Sequence, residues 1–540
     1  MLATLVTAVI NGLRGELVRV EIDVAPGLPA CHIVGLPDAA LSEARERVRG
    51  AIRNSGFAYP VSRITVNLAP ADRRKRGAAY DLAIAVGILV ASGQIRRGGG
   101  TWALLGELSL SGTVEPIPGV LPMVATLSRQ GYRRVIVPAA NVAEARLVSG
   151  VEAVGVDGLD DAARLIAGPR GRTAARATRR IAVELSGPRA RATPRPAGNQ
   201  RLGEGQAAPG PESALAATVE GVDLADIRGQ HHARWALEIA IAGGHNLLLV
   251  GPPGAGKTLL ARAIPGLLPS LNDDEALEAT VIESVAGLLH EGGLRRTRPF
   301  RAPHHTSSYA ALVGGGPHLL PGEATLAHHG VLFLDELAEF DRPTLDALRQ
   351  PLEEGVLTIA RANGRVRYPA RFQLVAAMNP CRCGFHNDPD RQCRCPNGDP
   401  ERYVRRVSGP FLDRIDMRIE MARVPPAELL TERRPEDSAT VAARIAAARS
   451  LALGRNGGQP NARLAGSAVL DACSLTPRGL RAIDELAATQ KLSARSVHRV
   501  LRVARTISDL SIRGDVGEDD IWAAGALRDP GGALDEQLAA

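Results

Sequence analysis

Gly251-Pro252-Pro253-Gly254-Ala255-Gly256-Lys257-Thr258 follows an apolar run, Asn246-Leu247-Leu248-Leu249-Val250, and precedes Leu259-Leu260-Ala261-Arg262-Ala263-Ile264. The apolar run reads as a buried strand, and the stretch after the glycines as the opening of a helix. Strand, glycine-rich turn, Lys-Thr, helix is the setting that a phosphate-binding loop needs. The glycines let backbone N–H groups wrap the phosphates, and the helix N-terminus adds partial positive charge. Lys257 is expected to reach the β- and γ-phosphates of ATP, and Thr258 to place its hydroxyl on Mg²⁺. A glycine-rich turn that binds nothing is the competing reading. A complete eight-residue match in the right setting argues against it. The stretch therefore predicts an α/β nucleotide triphosphatase.

Two more strand ends belong to the same site. Gly330-Val331-Leu332-Phe333-Leu334-Asp335-Glu336 is an apolar strand ending in two carboxylates. Asp335 is expected to hold Mg²⁺, and Glu336 to polarise the attacking water as general base. Gln373 to Met378 reads as a third strand, ending in Asn379, whose amide can orient that water or sense the γ-phosphate. Together these elements resemble the AAA+ ATPases, in which Asn379 takes the sensor 1 position. Ser408-Gly409-Pro410-Phe411-Leu412-Asp413-Arg414-Ile415-Asp416 resembles the arginine-finger segment of that superfamily. The resemblance implies that Arg414 reaches the nucleotide of a neighbouring subunit, which requires a ring. It also implies a sensor 2 arginine at Arg495, at the start of a lid helix, with Arg499 one turn on as the alternative.

Three insertions mark the core. Val356 to Arg361 and Arg365 to Tyr368 are β-like runs around Ala362-Asn363-Gly364, a strong hairpin signal. In the AAA+ clade of magnesium chelatase and the replicative helicases, which this segment resembles, such a hairpin points into the ring pore. Arg361, Arg365 and Arg367 would there follow a DNA phosphate backbone without reading bases. An exposed hairpin with solubilising charge is the other reading. Glu283 to His318 is longer than the basic fold requires, and its Arg295, Arg296, Arg298 and Arg301 form a second candidate pore surface. Cys381-Arg382-Cys383 and Cys393-Arg394-Cys395 are two C-x-C pairs, and four thiolates on a short loop can satisfy a tetrahedral structural Zn²⁺.

Residues 1–167 alternate β-like and helical stretches and read as a separate α/β unit. Arg74-Lys75-Arg76-Gly77-Ala78-Ala79-Tyr80-Asp81-Leu82 and Gly106 to Leu121 resemble the active-site segments of the Lon-type protease domain. That family uses a Ser–Lys dyad. Ala79 and Leu121 stand at the corresponding positions here, so no nucleophile or base is present and a binding or assembly role is expected. Residues 168–212, rich in Arg, Gly and Pro, read as a basic flexible linker. The core spans 213–425 and a helical lid 426–528, with a tail at 529–540.

The bulk numbers agree. A chain of 540 residues holds several domains. Aromatics make up only 3%, which argues against base stacking, while a net charge of +7 fits either a polyanion partner or a solvated surface. No apolar run reaches membrane-spanning length and the N-terminus has no signal-peptide pattern, so a cytoplasmic protein with no membrane partner is expected. Six cysteines do not make a disulfide scaffold.

Across nearly its whole length the chain resembles the ComM/YifB family of magnesium-chelatase-like AAA+ ATPases. The Cys381–Cys395 cluster after Asn379-Pro380 and the Pro303-His304-His305 segment are the most specific marks. The resemblance implies a ring ATPase, a hexamer, that moves along single-stranded or branched DNA and drives branch migration during recombination or transformation. A chelatase-type motor or a chaperone-like remodeller acting on a protein partner is the alternative.

Overall fold

The computed structural model describes residues 1–35, 39–70, 77–168, 222–289, 293–316, 319–361, 364–429 and 435–528. The expected linker, with its arginines, lies almost entirely outside these residues, as do the tail and Arg74 to Arg76.

The apolar runs around the phosphate loop assemble one parallel sheet. Its order is Phe300–Arg301, Val331–Leu334, Gln373–Met378, Leu247–Val250, Met417–Glu420. The three inner strands are buried along their whole length. They need to be apolar on both faces because both faces are covered. Leu247, Leu249, Phe333, Val375 and Ile419 face the helix His231–Gly243 and the lid. Leu248, Leu332, Leu334, Leu374 and Ala376 face the hairpin and Tyr403 to Ile415. Val250 pairs with Met378, and Leu334 with Ala376, so the three strands end side by side. Ligands of open α/β sheets bind at that edge.

The hairpin forms as expected, Val356–Arg361 against Gly364–Pro369, with Ala360 opposite Arg365 and Thr358 opposite Arg367. Leu357, Ile359, Val366 and Tyr368 point into the core, and the Tyr368 hydroxyl donates to the Leu319 carbonyl at 2.5 Å. Alternation then places Arg365 and Arg367 together on the exposed face. Residues 362–363 and the Arg361 side chain lie outside the described part.

The lid consists of Ser438–Arg455, Ser467–Cys473, Pro477–Thr489, Ala494–Leu510 and Glu518–Arg528. Asp437, Thr476 and Ser493 cap three of these helices. The lid shares one apolar cluster with the core. Inside it the buried carboxylate of Asp509 is bonded by Arg455, Asn461 and Arg505, which compensates its charge.

The N-terminal unit has a seven-stranded mixed sheet, in the order Ala30–Val34, Arg63–Ala69, Arg14–Ala25, Leu2–Asn11, Trp102–Leu104, Arg134–Pro138, Glu152–Val156. Ala39–Asn54, Asp81–Ala91 and Leu159–Ala167 cover one face, and Val120–Arg129 the other. The two segments that resemble the Lon-type site meet in space: Leu82 donates to the Gly106 carbonyl at 3.1 Å, and Gly106 to the Ala79 carbonyl at 3.3 Å. The described residues show this unit in contact with the core. Gly119 donates to the Ser284 carbonyl at 2.8 Å, and the Ser284 hydroxyl bonds the buried Glu144. Leu13, in the Leu2–Asn11/Arg14–Ala25 turn, packs against the cluster that includes the hairpin.

Candidate nucleotide site and its partners

Four sequence-predicted residues converge at the strand ends. Lys257 Nζ donates to the carbonyls of Gly251 (2.7 Å) and Pro252 (3.0 Å) and to Asn379 Oδ1 (3.1 Å). The Thr258 hydroxyl donates to Asp335 Oδ2 at 2.7 Å. Hydroxyl and carboxylate oxygens side by side are the hard donors that Mg²⁺ requires. Gly254 and Gly256 adopt φ of +83° and +90°, and a Cβ on either would meet only open space. The turn is open at both glycines, and the donor set fits a magnesium nucleotide. When bound, Mg²⁺ supplies charge neutralisation at the phosphates.

Glu336 has a φ of 53°, a left-handed conformation uncommon for a residue with a Cβ. Its carboxylate borders a cavity of about 740 Å³ that Thr258, Phe300, His305 and Asp335 also line. His305 Nδ1 lies 3.0 Å from Glu336 Oε2. The sequence does not reveal this contact, because the 30 residues between the two positions carry no spacing signal. Gln230 was also missed. Its amide donates to the carbonyls of Ala255 (3.0 Å) and Ala422 (2.5 Å), bracing the phosphate loop from outside.

Burial pulls the Lys257 ammonium down to about 8, against Asp335 and Glu336, which act in the opposite direction. Bound phosphates favour the charged form, so binding above pH 8 takes up a proton. Nucleotide affinity is therefore expected to fall as pH rises through 8, approaching about tenfold per pH unit. Titration of a fluorescent ATP analogue from pH 7 to 9.5 measures this, and a flat profile contradicts it.

Arg414 and Arg495 share one carboxylate. Arg414 Nη2 is 2.5 Å and Arg495 Nη2 2.7 Å from Glu353 Oε1. These bonds, Arg495's first, hold Glu353 below the usual carboxylate range. Of the two lid arginines, Arg499 is buried with its Nε 3.9 Å from Asp416, whereas Arg495 is 56% exposed. The structure thus joins Arg495 to Arg414, and the recorded side-chain contacts of Lys257 and Thr258 include neither arginine.

The arginines of the second candidate pore surface each meet a carboxylate of the same subunit. Arg298 pairs with Glu275 at 2.7 Å and Arg301 with Glu323 at 2.6 Å; Arg295 pairs with Glu283 and Arg296 with Asp273.

The four cysteines do converge. Cys381 Sγ is 3.4 Å from Cys383 Sγ and 3.8 Å from Cys393 Sγ, and all four sulfurs lie within 4.8 Å of one another. A second group, Glu278, His328 and His329, is equally close. There His328 Nδ1 accepts the Arg371 backbone N–H at 2.9 Å, so its proton sits on Nε2 and points to Glu278 at 3.0 Å. With both nitrogens committed, His328 is a structural residue.

No helix among the described residues is long and apolar enough to cross a membrane. The family description "Magnesium chelatase, subunit ChlI" matches residues 223–429, "Subunit ChlI of Mg-chelatase" matches 20–141, and the ChlI C-terminal description matches 435–528. An uncharacterized protein of Mycobacterium tuberculosis is 42% identical over 97% of both chains. YifB of Escherichia coli is 40% identical over 92% of this chain and 91% of its own. Competence protein ComM of Haemophilus influenzae is 40% identical over 95% of this chain and 93% of its own. Relatedness at this level, spread over every unit described above, fixes the assignment: the chain belongs to the ComM/YifB family of magnesium-chelatase-like AAA+ ATPases.

Proposed function

We propose that the protein hydrolyses ATP with Mg²⁺ in a homo-oligomeric ring, a hexamer, and couples hydrolysis to movement on single-stranded or branched DNA. The observation that carries the ATPase reading is the meeting of Lys257 with Asn379 and of Thr258 with Asp335 at adjacent strand ends. Glu336 is the general base. Arg414 serves the neighbour's nucleotide, and its bond to the carboxylate that also holds Arg495 supports placing both at one subunit edge. The four-cysteine loop holds structural Zn²⁺.

DNA as the substrate is supported by Arg365 and Arg367 on one exposed hairpin face, and by a relative named a competence protein. Branch migration in recombination or transformation is the role that fits. Replacing Arg361, Arg365 and Arg367 by Ala is expected to abolish DNA stimulation of ATP hydrolysis while leaving the basal rate. It should also flatten the salt dependence of DNA binding by about 0.7–0.9 per lost phosphate contact. Hydrolysis indifferent to branched and single-stranded DNA at low salt would instead favour a chelatase-type motor or remodeller acting on a protein partner.

A further inference from the structure

The cysteine loop is more than a surface appendage of the core. Cys381 is fully buried, and Cys383 and Cys393 sulfurs lie 3.5 Å apart. A tetrahedral zinc with Zn–S bonds of about 2.3 Å has S···S edges of about 3.8 Å. The separations among Cys381, Cys383 and Cys393, 3.4 to 3.8 Å, lie at or just inside that edge, and the Cys395 sulfur is within 4.8 Å of each. Thiols gain little from each other, and thiolates repel. A soft cation at their centre explains the convergence, and four sulfur ligands leave it no open position.

Three contacts tie this knot to the phosphate loop. Asn379, two residues before Cys381, accepts from Lys257 Nζ at 3.1 Å. Gly384 donates to the Cys381 carbonyl at 3.0 Å and adopts a φ of +84°. It sits so close to Pro253 that a Cβ would lie 2.4 Å from Pro253 Cδ and 2.7 Å from Cγ. Phe385 lies under the Arg423 guanidinium at 5.1 Å, and Arg423 Nε is 3.8 Å from Asp388. Just ahead of Arg423, Met421 donates to the Val250 carbonyl at 2.7 Å. The knot therefore meets the loop at its lysine, at its second proline and beside the strand that feeds it.

We propose that Zn²⁺ held by Cys381, Cys383, Cys393 and Cys395 braces the phosphate loop. The metal fixes Gly384 against Pro253, and the fixed turn keeps the loop in its nucleotide-receiving shape. Metal loading then sets nucleotide affinity from outside the catalytic residues. This rests on the reading of Gly251 to Thr258 as the ATP site.

The test uses the full-length protein, elemental analysis and a fluorescent ATP analogue. The purified chain should carry a single zinc. Its removal by a mercurial thiol reagent and chelator should raise the nucleotide Kd by about tenfold or more, with recovery after reduction and Zn²⁺ addition. Gly384→Ala keeps all four thiols. It should retain zinc yet show the same weakening, which separates the brace from simple unfolding. Cys383→Ser should lose both zinc and affinity. Absence of zinc from protein that binds nucleotide normally overturns the metal site. Zinc-loaded wild type and Gly384→Ala with equal affinity overturn the brace. A zinc-loaded protein that binds no nucleotide at all overturns the ATP-site reading, and the brace with it.

Discussion

Glu336→Gln is expected to lower ATP turnover by about 10²–10⁴-fold while leaving ATP binding intact. Glutamine keeps the size of the side chain and a hydrogen-bonding group for His305, but it cannot take a proton from water. The position is prepared for such a role. The buried strand Val331–Leu334 fixes the backbone, and the Glu336 N–H donates to Asp335 Oδ1 at 2.9 Å. The left-handed φ of 53° then turns the side chain into the cavity beside Thr258. Such a conformation costs about 1–2 kcal/mol for a residue with a Cβ. Strain of this kind is tolerated where the surroundings over-determine it, as they do at functional sites. Phosphate release measured beside nucleotide binding checks the prediction. Wild-type turnover in the variant removes Glu336 as the base, and loss of binding with turnover makes its role structural.

Arg414→Ala is expected to reduce hydrolysis by about 10³-fold. The same loss should follow from Lys257→Ala, but for a different reason, since that variant loses its own phosphate contact. Mixing the two inactive proteins should restore part of the activity. A mixed ring contains joints at which an intact Lys257 site meets an intact Arg414. Two variants that stay inactive when mixed, despite shared oligomers, would place Arg414 in its own subunit's site. The resting bond of Arg414 to Glu353 makes this informative, because the guanidinium must leave that carboxylate or share it to reach a phosphate.

The nucleotide site was legible because its parts are local. Each of Lys257, Asp335 and Asn379 ends or follows a short apolar run, and parallel pairing of such runs brings their ends together. The hairpin was legible from Asn363-Gly364 and the flanking alternation. What was hidden depends on contacts between distant segments. Glu353 carries no motif, yet it gathers Arg414 and Arg495. Arg295, Arg296, Arg298 and Arg301 read as a run of positive charge, and only folding brings the acidic residues of Asp273–Ala286 and Glu323 beside them. Gly384 reads as a turn glycine, and only packing reveals Pro253 against it.

Glu144 bears on how the N-terminal unit is held. Its carboxylate accepts the Leu121 N–H at 2.8 Å and the Asn141 amide at 3.1 Å, and it receives the Ser284 hydroxyl from the core. A seam closed by a buried carboxylate trades hydration for hydrogen bonds at almost equal free energy. Apolar closure would instead weld the two bodies together. The hydrogen bonds of Glu144 set the register of this seam, while Leu13 adds apolar contact at its other end. Its core side is Ser284, near the end of Asp273–Ala286, a helix about 21 Å long whose earlier turns carry Glu275 and Glu278 against the histidines before the acidic strand. The N-terminal unit is thus keyed to a rod whose far end braces the start of the strand that delivers Asp335.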